Sequence, residues 1–496
     1  MRYKLTTRIR IKQNVLVFFM GSCLGFTNQA VAQKLSLNEA IVTKMARQSN
    51  PTALKLQSLR VSSLLKHESE KANYGTALTS ELSYASSEEQ PVIQVAPVFQ
   101  PAATIAAGLQ KRTPWGLAGS AGIYSEQYTT ANKAIDQATQ VGLKLSLEIN
   151  LWKNLLGRLD QLKLKTAEFE LKKNELIVSF QQKQFEMDVR KIYWSLVANN
   201  MSQKLNLELV HSAQKQLKEA KKRYNQAVAD KGEVARYEAQ LSSRQASLLF
   251  FDHQKNLLES QLKRLVPELS RFQIDLQDLD IKKQQAKVSQ CIGQIMASPS
   301  APSQNFSSIG EIISLINRIE TSSTSLSTWT DSADVKFKAQ LKQSSTAQGY
   351  AGSIENYPEQ SRPGVQLALE FSLPLNPSLS AVSQSQMTLS KLNARSEASD
   401  LLAQLKSEHT KTRQSLTLLA EATKTLNQAV KHLDLSLATS KKKYEQARID
   451  INTLIMEQDN LFNSQLSEID TKHQVIHLVY DYFKTFDKFP CSINRI

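Results

Sequence analysis

Lys222-Arg223-Tyr224-Asn225-Gln226-Ala227-Val228-Ala229-Asp230 returns about 220 residues later as Lys442-Lys443-Tyr444-Glu445-Gln446-Ala447-Arg448-Ile449-Asp450. Lys, Tyr, Gln, Ala and Asp hold the same places in both copies, so the chain carries an internal repeat. The residues leading into each copy repeat as well. Val210, Ala213, Leu217, Ala220 and Tyr224 follow the 3-4-3-4 spacing of a coiled-coil seam, and Val430, Leu433, Leu437, Ser440 and Tyr444 follow it in the same register. Farther upstream, Leu145, Leu147, Ile149 and Leu151 alternate with other residues, as do Leu369, Phe371, Leu373 and Leu375. Period two marks a strand with two unlike faces. Each half therefore reads as strand, very long helix, turn, and long helix back.

Composition agrees with a helix-rich chain. The 496 residues are 41 % hydrophobic, with only 15 Gly and 7 % aromatics. The formal net charge is +15. The first 32 residues carry Arg2, Lys4, Arg8, Arg10 and Lys12 and no acid. That basic start precedes an apolar run from Val15 to about Phe26, and Ala30-Val31-Ala32 then offers a small-x-small cleavage site before Gln33. The expectation is a cleaved secretory signal over residues 1–32. A lipidated Cys23 is the competing reading, and Met20 and Gly21 fit it poorly. No other segment has the length and apolarity of a membrane-spanning helix, so a mature chain that meets a membrane must do so with strands. Cleavage leaves Cys291 and Cys491, each just past its repeat. Export permits a disulfide between them, and two free buried thiols are the alternative.

Along the chain, Leu35 to about Ala72 reads as helix interrupted at Asn50-Pro51. From Thr76 the character changes, with Leu78, Leu82 and Tyr84 set among Ser and Thr. Gln90 to Thr104 is Pro-rich loop. Ile105–Lys111 and Leu117–Tyr124 flank a hairpin turn at Thr113-Pro114-Trp115-Gly116, and Ala138–Leu151 is the last strand before the helix, with Gly142 and Gly157 bracketing the change. Leu159 to Val266 lacks Pro, which predicts extended helices of roughly 100 Å out and roughly 65 Å back. Ser298-Pro299-Ser300-Ala301-Pro302-Ser303 reads as a linker, Ile309–Ile319 as a short helix and Thr321–Thr330 as loop. Val335 to Leu341 alternates as a strand, and Gly349 to Pro363 is the loop opposite Val365–Leu375. The resulting organisation is repeat 1 over 33–266, a linker over 267–306, repeat 2 over 307–489 and a tail over 490–496.

Catalytic patterns are absent: no phosphate-binding Gly loop, nucleophile elbow or paired-cysteine metal motif occurs. The expectation is a protein that is no enzyme and holds no cofactor or metal. His473 and His477 are spaced i, i+4 but lack the acidic base of a zinc-protease motif, and read as polar positions on a helix. Lys221–Arg223 and Lys441–Lys443 raise the question of nucleic acid, which the export signal argues against.

Signal, strands, long helix, tight turn and return helix, all duplicated, resemble a TolC-type outer-membrane efflux protein. Val365 to Gln386, running through Ser372-Leu373-Pro374-Leu375, is similar to the family's strand-to-helix junction, and Leu145 to Gly157 is its counterpart. The Tyr224 and Tyr444 segments resemble the family's two periplasmic turns. The resemblance implies an α+β membrane protein, a homotrimer in which each chain gives four strands to one β-barrel and four long helix segments to an α-helical barrel beneath it. It implies an exit duct for efflux or type I secretion in the outer membrane, with a long periplasmic portion. Its partners would be a periplasmic adaptor and an inner-membrane transporter of the RND or ABC class, with outer-membrane lipid and no nucleic acid. A four-strand sheet cannot close alone, and lipid does not tolerate open edges, so trimerisation is the physical counterpart of that plan.

The tips depart from the family's pattern. Where its turns carry Gly three residues after the aromatic, this chain has Ala227 and Ala447. The gate Arg position falls at Ile449, beside Arg448, and the acidic ring positions fall at Thr453 and Met456, near Glu457 and Asp459. The candidate gate is therefore Tyr444, Arg448, Asp450, Glu457 and Asp459. The candidate adaptor rim is Tyr224, Gln226, Ala227, Val228, Gln446 and Ala447. A periplasmic coiled-coil structural or adaptor protein is the second reading, which the alternation at Leu145–Leu151 and Leu369–Leu375 disfavours.

Overall fold

A computed structural model describes residues 33–48, 51–85, 101–128, 138–276, 281–298, 304–330, 333–373 and 377–491. The expected signal with Cys23, residues 90–100 of the Pro-rich loop, Asn50, residues 299–303 of the linker, Pro374-Leu375 and the tail past 491 lie outside the described residues. The first repeat opens with β1 (Gln33–Leu37), α1 (Glu39–Gln48) and α2 (Ala53–Ala72). Four strands follow: β2 (Thr76–Tyr84), β3 (Pro101–Arg112), β4 (Leu117–Tyr128) and β5 (Ala138–Asn150). Then come α3 (Arg158–Asn225) and α4 (Lys231–Leu265). Between the repeats lie β6 (Phe272–Leu276) and α5 (Ile281–Ala297). The second repeat holds α6 (Ser308–Thr330), β7 (Asp334–Gln348), α7 (Gly349–Glu355), α8 (Tyr357–Gln360), β8 (Arg362–Ser372), α9 (Pro377–Glu445) and α10 (Ile451–Thr485).

The repeat is metrically close. Outgoing helices α3 and α9 have 68 and 69 residues, and return helices α4 and α10 have 35 each. At 1.5 Å per residue these are about 100 Å and about 50 Å long. Helices of that length need lateral support. They receive it from one apolar core where α1, α3, α5, α6, α9 and α10 meet, with Val189, Tyr193, Leu196, Ile295, Ile309, Tyr480 and Phe483 at its centre. Lys191–Asp481 (2.7 Å) and Lys484–Asp188 (2.7 Å) rivet α3 to α10 along the rim of this core, and Lys183–Asp487 (2.9 Å) ties α3 to the segment that follows α10. Asp487 also caps α6, accepting from the Ser308 amide at 2.7 Å. Cys291 on α5 and Cys491 form a disulfide with Cα atoms 5.7 Å apart, which decides between the two readings of these cysteines.

The second layer is a six-stranded antiparallel sheet in the order β2-β3-β4-β5-β7-β8. This corrects the expectation of four strands per chain. The first repeat holds two hairpins, β2–β3 and β4–β5, where the second holds one. The Thr113–Gly116 turn that joins them is closed by Thr113 N–H to the Leu117 carbonyl at 2.8 Å. Register separates the faces. Leu145 pairs with Leu341, Ile149 with Phe337 and Leu369 with Phe337, all on one face. Glu148 opposite Lys338, and Lys338 opposite Ala368, fall on the other.

Three local expectations are also corrected. Leu35 lies in β1, not in a helix, because alternating Leu35 and Leu37 pair in parallel with Ile274 and Leu276 of β6 and Leu37 becomes fully buried. The Thr321–Thr330 run continues α6 instead of looping. Its hydroxyls bond back one turn, Thr321 to the Asn317 carbonyl at 2.9 Å and Thr324 to that of Glu320 at 2.8 Å, so the helix satisfies them internally. Residues between Gly349 and Pro363 form α7 and α8, held by Ser353, whose hydroxyl donates to the Thr139 carbonyl at 2.6 Å. Within 267–306 the described residues include β6 and α5.

Candidate functional site at the hairpin tips

The two turns between the long helices are built alike. Asn225 and Glu445 end the outgoing helices. Ala227 and Ala447 then take left-handed backbone angles, φ 56° and 55°. The amide of Ala227 bonds the Tyr224 carbonyl and that of Val228 the Arg223 carbonyl, both at 2.9 Å. The second turn repeats both bonds, from Ala447 to Tyr444 at 2.9 Å and from Arg448 to Lys443 at 2.8 Å. This is a left-handed helix stop, a place where Gly is the usual residue and Ala is the smallest chiral substitute. Asp230 and Asp450 start the return helices as N-caps, accepting from the amides of Glu233 (2.6 Å) and Thr453 (2.8 Å).

The sequence equivalence of the tips breaks where they touch. Tyr224 is exposed, whereas Tyr444 is drawn onto the first hairpin. Its hydroxyl donates to Glu233 Oε1 at 2.8 Å and accepts from Arg223 Nη1 at 2.7 Å. Arg223 in turn pairs with Glu233 at 3.0 Å. Tyr237, 3 % exposed, donates its hydroxyl to Tyr444. Burial, followed by these partners, raises the Tyr237 pKa far above the usual phenol range, and burial raises that of Tyr444, so both stay protonated donors. Ala220, Tyr237 and Ile451 supply the apolar floor, with Leu217, Val234 and Ile455 around it. One to two turns farther along, Gln240 bonds Gln458 at 3.3 Å and Arg244 pairs with Asp459. The Arg244 guanidinium also sits over the Phe462 ring at 4.7 Å. Five polar contacts at this junction thus join the first hairpin to the second.

Of the candidate gate residues, Tyr444 and Asp459 take part in this junction. Asp450 does not: its carboxylate is committed to Thr453, and those bonds hold its pKa below the usual carboxylate range. Arg448 lies exposed at the turn and Glu457 nearly two turns into α10. The candidate rim residues Tyr224, Gln226, Ala227, Val228, Gln446 and Ala447 are all exposed at the two tips. The sequence reading missed Arg223, Glu233, Tyr237 and Arg244. A signal existed: 220 residues on, their places are taken by Lys443, Thr453, Glu457 and Ser464, so these four are where the repeat is broken. His473 and His477 are far from this junction, in the packing of α10 on α3, where both Nε2 atoms lie 3.0 Å from the Ser195 hydroxyl.

No protein-family model matches the sequence, and no curated protein matches it. Solved structures do match. The outer membrane protein VceC from Vibrio cholerae aligns over 90 % of this chain and 95 % of its own, with TM-score 0.63 and 13 % identity. The chain thus has the TolC-type fold. The CmeC outer membrane channel of Campylobacter jejuni aligns over 95 % of this chain and 93 % of its own, with TM-score 0.60 and 11 % identity. The open state of the Neisseria gonorrhoeae MtrE outer membrane channel covers 95 % of both chains, with TM-score 0.54 and 11 % identity. At such identities the shared property is the fold.

Proposed function

We propose that three copies of this chain form the outer-membrane exit duct of a tripartite efflux pump or type I secretion system, carrying cargo passively across periplasm and outer membrane. The observation that carries this reading is the sheet. One face presents Leu143, Leu145, Val365, Leu367, Leu369 and Phe371 to the outside, all 45–70 % exposed. The opposite face is set with Lys, Glu, Gln and Ser, and the sheet runs directly into helices about 100 Å long. Apolar-out and polar-in alternation suits a barrel wall between lipid and an aqueous lumen. No described helix is long and apolar enough to cross a membrane, which leaves strands for that task. Exposed Trp115 and Trp152 stand at the helix-side end of the sheet, where interfacial aromatics anchor a barrel. A barrel-free adaptor has no use for such a surface.

Within this reading the junction around Tyr444 holds the tunnel narrow. Exposed ion pairs contribute about 0–1 kcal/mol each, but the same links repeated in three protomers sum to a bias of a few kcal/mol. Tyr444→Phe with Asp459→Asn should raise single-channel conductance in planar bilayers, and unchanged conductance places the gate elsewhere. The tips would be the rim met by a periplasmic adaptor, with Lys221–Arg223 and Lys441–Lys443 steering an acidic partner. Because Ala227 and Ala447 are left-handed, bulky residues there would distort the turn itself. Gln226→Trp with Gln446→Trp is the cleaner test. Export should be lost while trimers and barrel insertion persist; surviving export moves the docking site off the rim.

A further inference from the structure

Among the described residues the β2–β3 hairpin has no counterpart in the second repeat, and its residues show where it belongs. On one face β2 places Leu78, Leu82 and Tyr84, exposed at 77, 83 and 80 %, and β3 adds Ile105 and Leu109, exposed at 50 and 55 %. These lie in register with the outward face of β4, since Ile105 pairs with Ser125 and Leu109 with Ala121. The other face carries Thr79, Glu81 and Ser83. The hairpin therefore continues both the apolar belt and the polar lining of the other four strands. A hairpin standing in water would gain nothing from that belt. Its strands, of 9 and 12 residues, are long enough to cross a bilayer when tilted.

The hairpin is also fastened to the sheet. β3 pairs with β4 over nearly its whole length. Gly108 and Gly122 face each other so closely that a Cβ on Gly122 would lie 2.9 Å from Gly108 Cα. The Thr113–Gly116 turn is locked under the start of α3, where a Cβ on Gly116 would lie 2.9 Å from the Gly157 amide. The open edges of the sheet are thus β2 and β8, and every residue of both strands is exposed. Strand direction alternates across the sheet, so β2 and β8 run oppositely. An antiparallel seam between β8 of one protomer and β2 of the next satisfies both edges and closes the ring.

Resting on the duct reading above, we infer that each protomer contributes six strands and that the trimer closes an eighteen-stranded barrel through β8–β2 seams. Barrel diameter grows roughly linearly with strand number, so this barrel is about half as wide again as one with four strands per chain. Four long helices per chain still form the tunnel below. Eighteen strands about 4.8 Å apart and tilted about 40° span roughly the same circumference as twelve helices about 9 Å apart, so the strand ring matches the tunnel it stands on.

Disulfide scanning in membranes tests the seam. Gln366→Cys on β8 is combined with Thr79→Cys or Glu81→Cys on β2, and separately with Ser120→Cys or Glu126→Cys on β4, all on the polar face. The expected result is covalently linked protomers with the β2 partners and none with the β4 partners. Linkage through β4, or through neither strand in an intact trimer, overturns the eighteen-strand barrel while leaving the duct standing. Absence of a trimer by native mass spectrometry is a different failure, that of the duct reading itself. A Leu82→Cys variant gives a second readout: it should react with a lipid-phase thiol reagent and resist a water-soluble one, and the reverse pattern would remove β2 from the barrel wall.

Discussion

His473 and His477 show how one turn of helix sets a pH response. Their rings are 4.0 Å apart, between α10 and α3. Burial lowers both pKa values, that of His477 to about 4, with His473 and Lys191 as further like-charge causes and Asp481 opposing. Asp470 opposes the shift of His473. A histidine kept neutral in the fold and titrating near 6.5 when unfolded binds more protons in the unfolded state between those values. Stability is therefore full above about pH 6.5 and declines as pH falls toward about 4. Thermal unfolding of the purified protein between pH 7 and 4.5 should show this slope, and His477→Gln should flatten it. An unaltered slope assigns the loss to other groups. Ala447 gives a second residue-scale prediction. A left-handed non-Gly residue costs about 1–2 kcal/mol, so Ala447→Gly should slow hydrogen exchange at the tip by stabilising the turn. Faster exchange would mean that the methyl group packs usefully. At this scale the sequence showed the two turns clearly, because Tyr, Gln, Ala and Asp recur together. It did not show that Tyr444 crosses to Arg223, Glu233 and Tyr237, because helix spacing locates neighbours on one helix and not those on another hairpin.

Elements were legible wherever period and breakers agree. Breaker-poor stretches gave the two long hairpins, and Pro114-Trp115-Gly116 gave the β3–β4 turn. Short elements that exist only through distant partners were not legible. β1 needs β6, more than 200 residues away, and α6 runs through a Ser/Thr run that local propensity assigns to loop. The strand-to-helix junction is the most sensitive joint. Gly157 has φ 73°, and a Cβ there would meet the Pro114 carbonyl at 1.8 Å, so Gly157→Ala should separate the β3–β4 turn from α3 and sharply reduce assembled trimer. Normal trimer yield would show that the joint tolerates a shift. The disulfide ties α5 to the chain end across 200 residues. Cys291→Ser with Cys491→Ser should cost about 2–5 kcal/mol, read as a lower denaturation midpoint matched by reduction of the native protein. An unchanged midpoint in both would leave the tie without a role in stability.

For the whole molecule, the residue patterns and the family resemblance pointed to different strand counts. Ile105–Lys111, Leu117–Tyr124, Ala138–Leu151, Val335–Leu341 and Val365–Leu375 read as five strands, yet the resemblance implied four per chain. The six-stranded sheet holds those five and adds β2, where the sequence showed only a change of character from Thr76. What one chain cannot show is closure, since both edge strands need a neighbouring protomer. The central claim is that this sheet is membrane wall and that the long helices are the tunnel below it. The most direct measurement is imaging of the full chain, purified from outer membranes into lipid nanodiscs, by electron cryomicroscopy. The account predicts a threefold particle with a closed β-barrel inside the lipid disc and a helical tunnel extending about 100 Å beyond it. A folded, detergent-free monomer recovered from the periplasm, with its sheet outside any lipid, would contradict it.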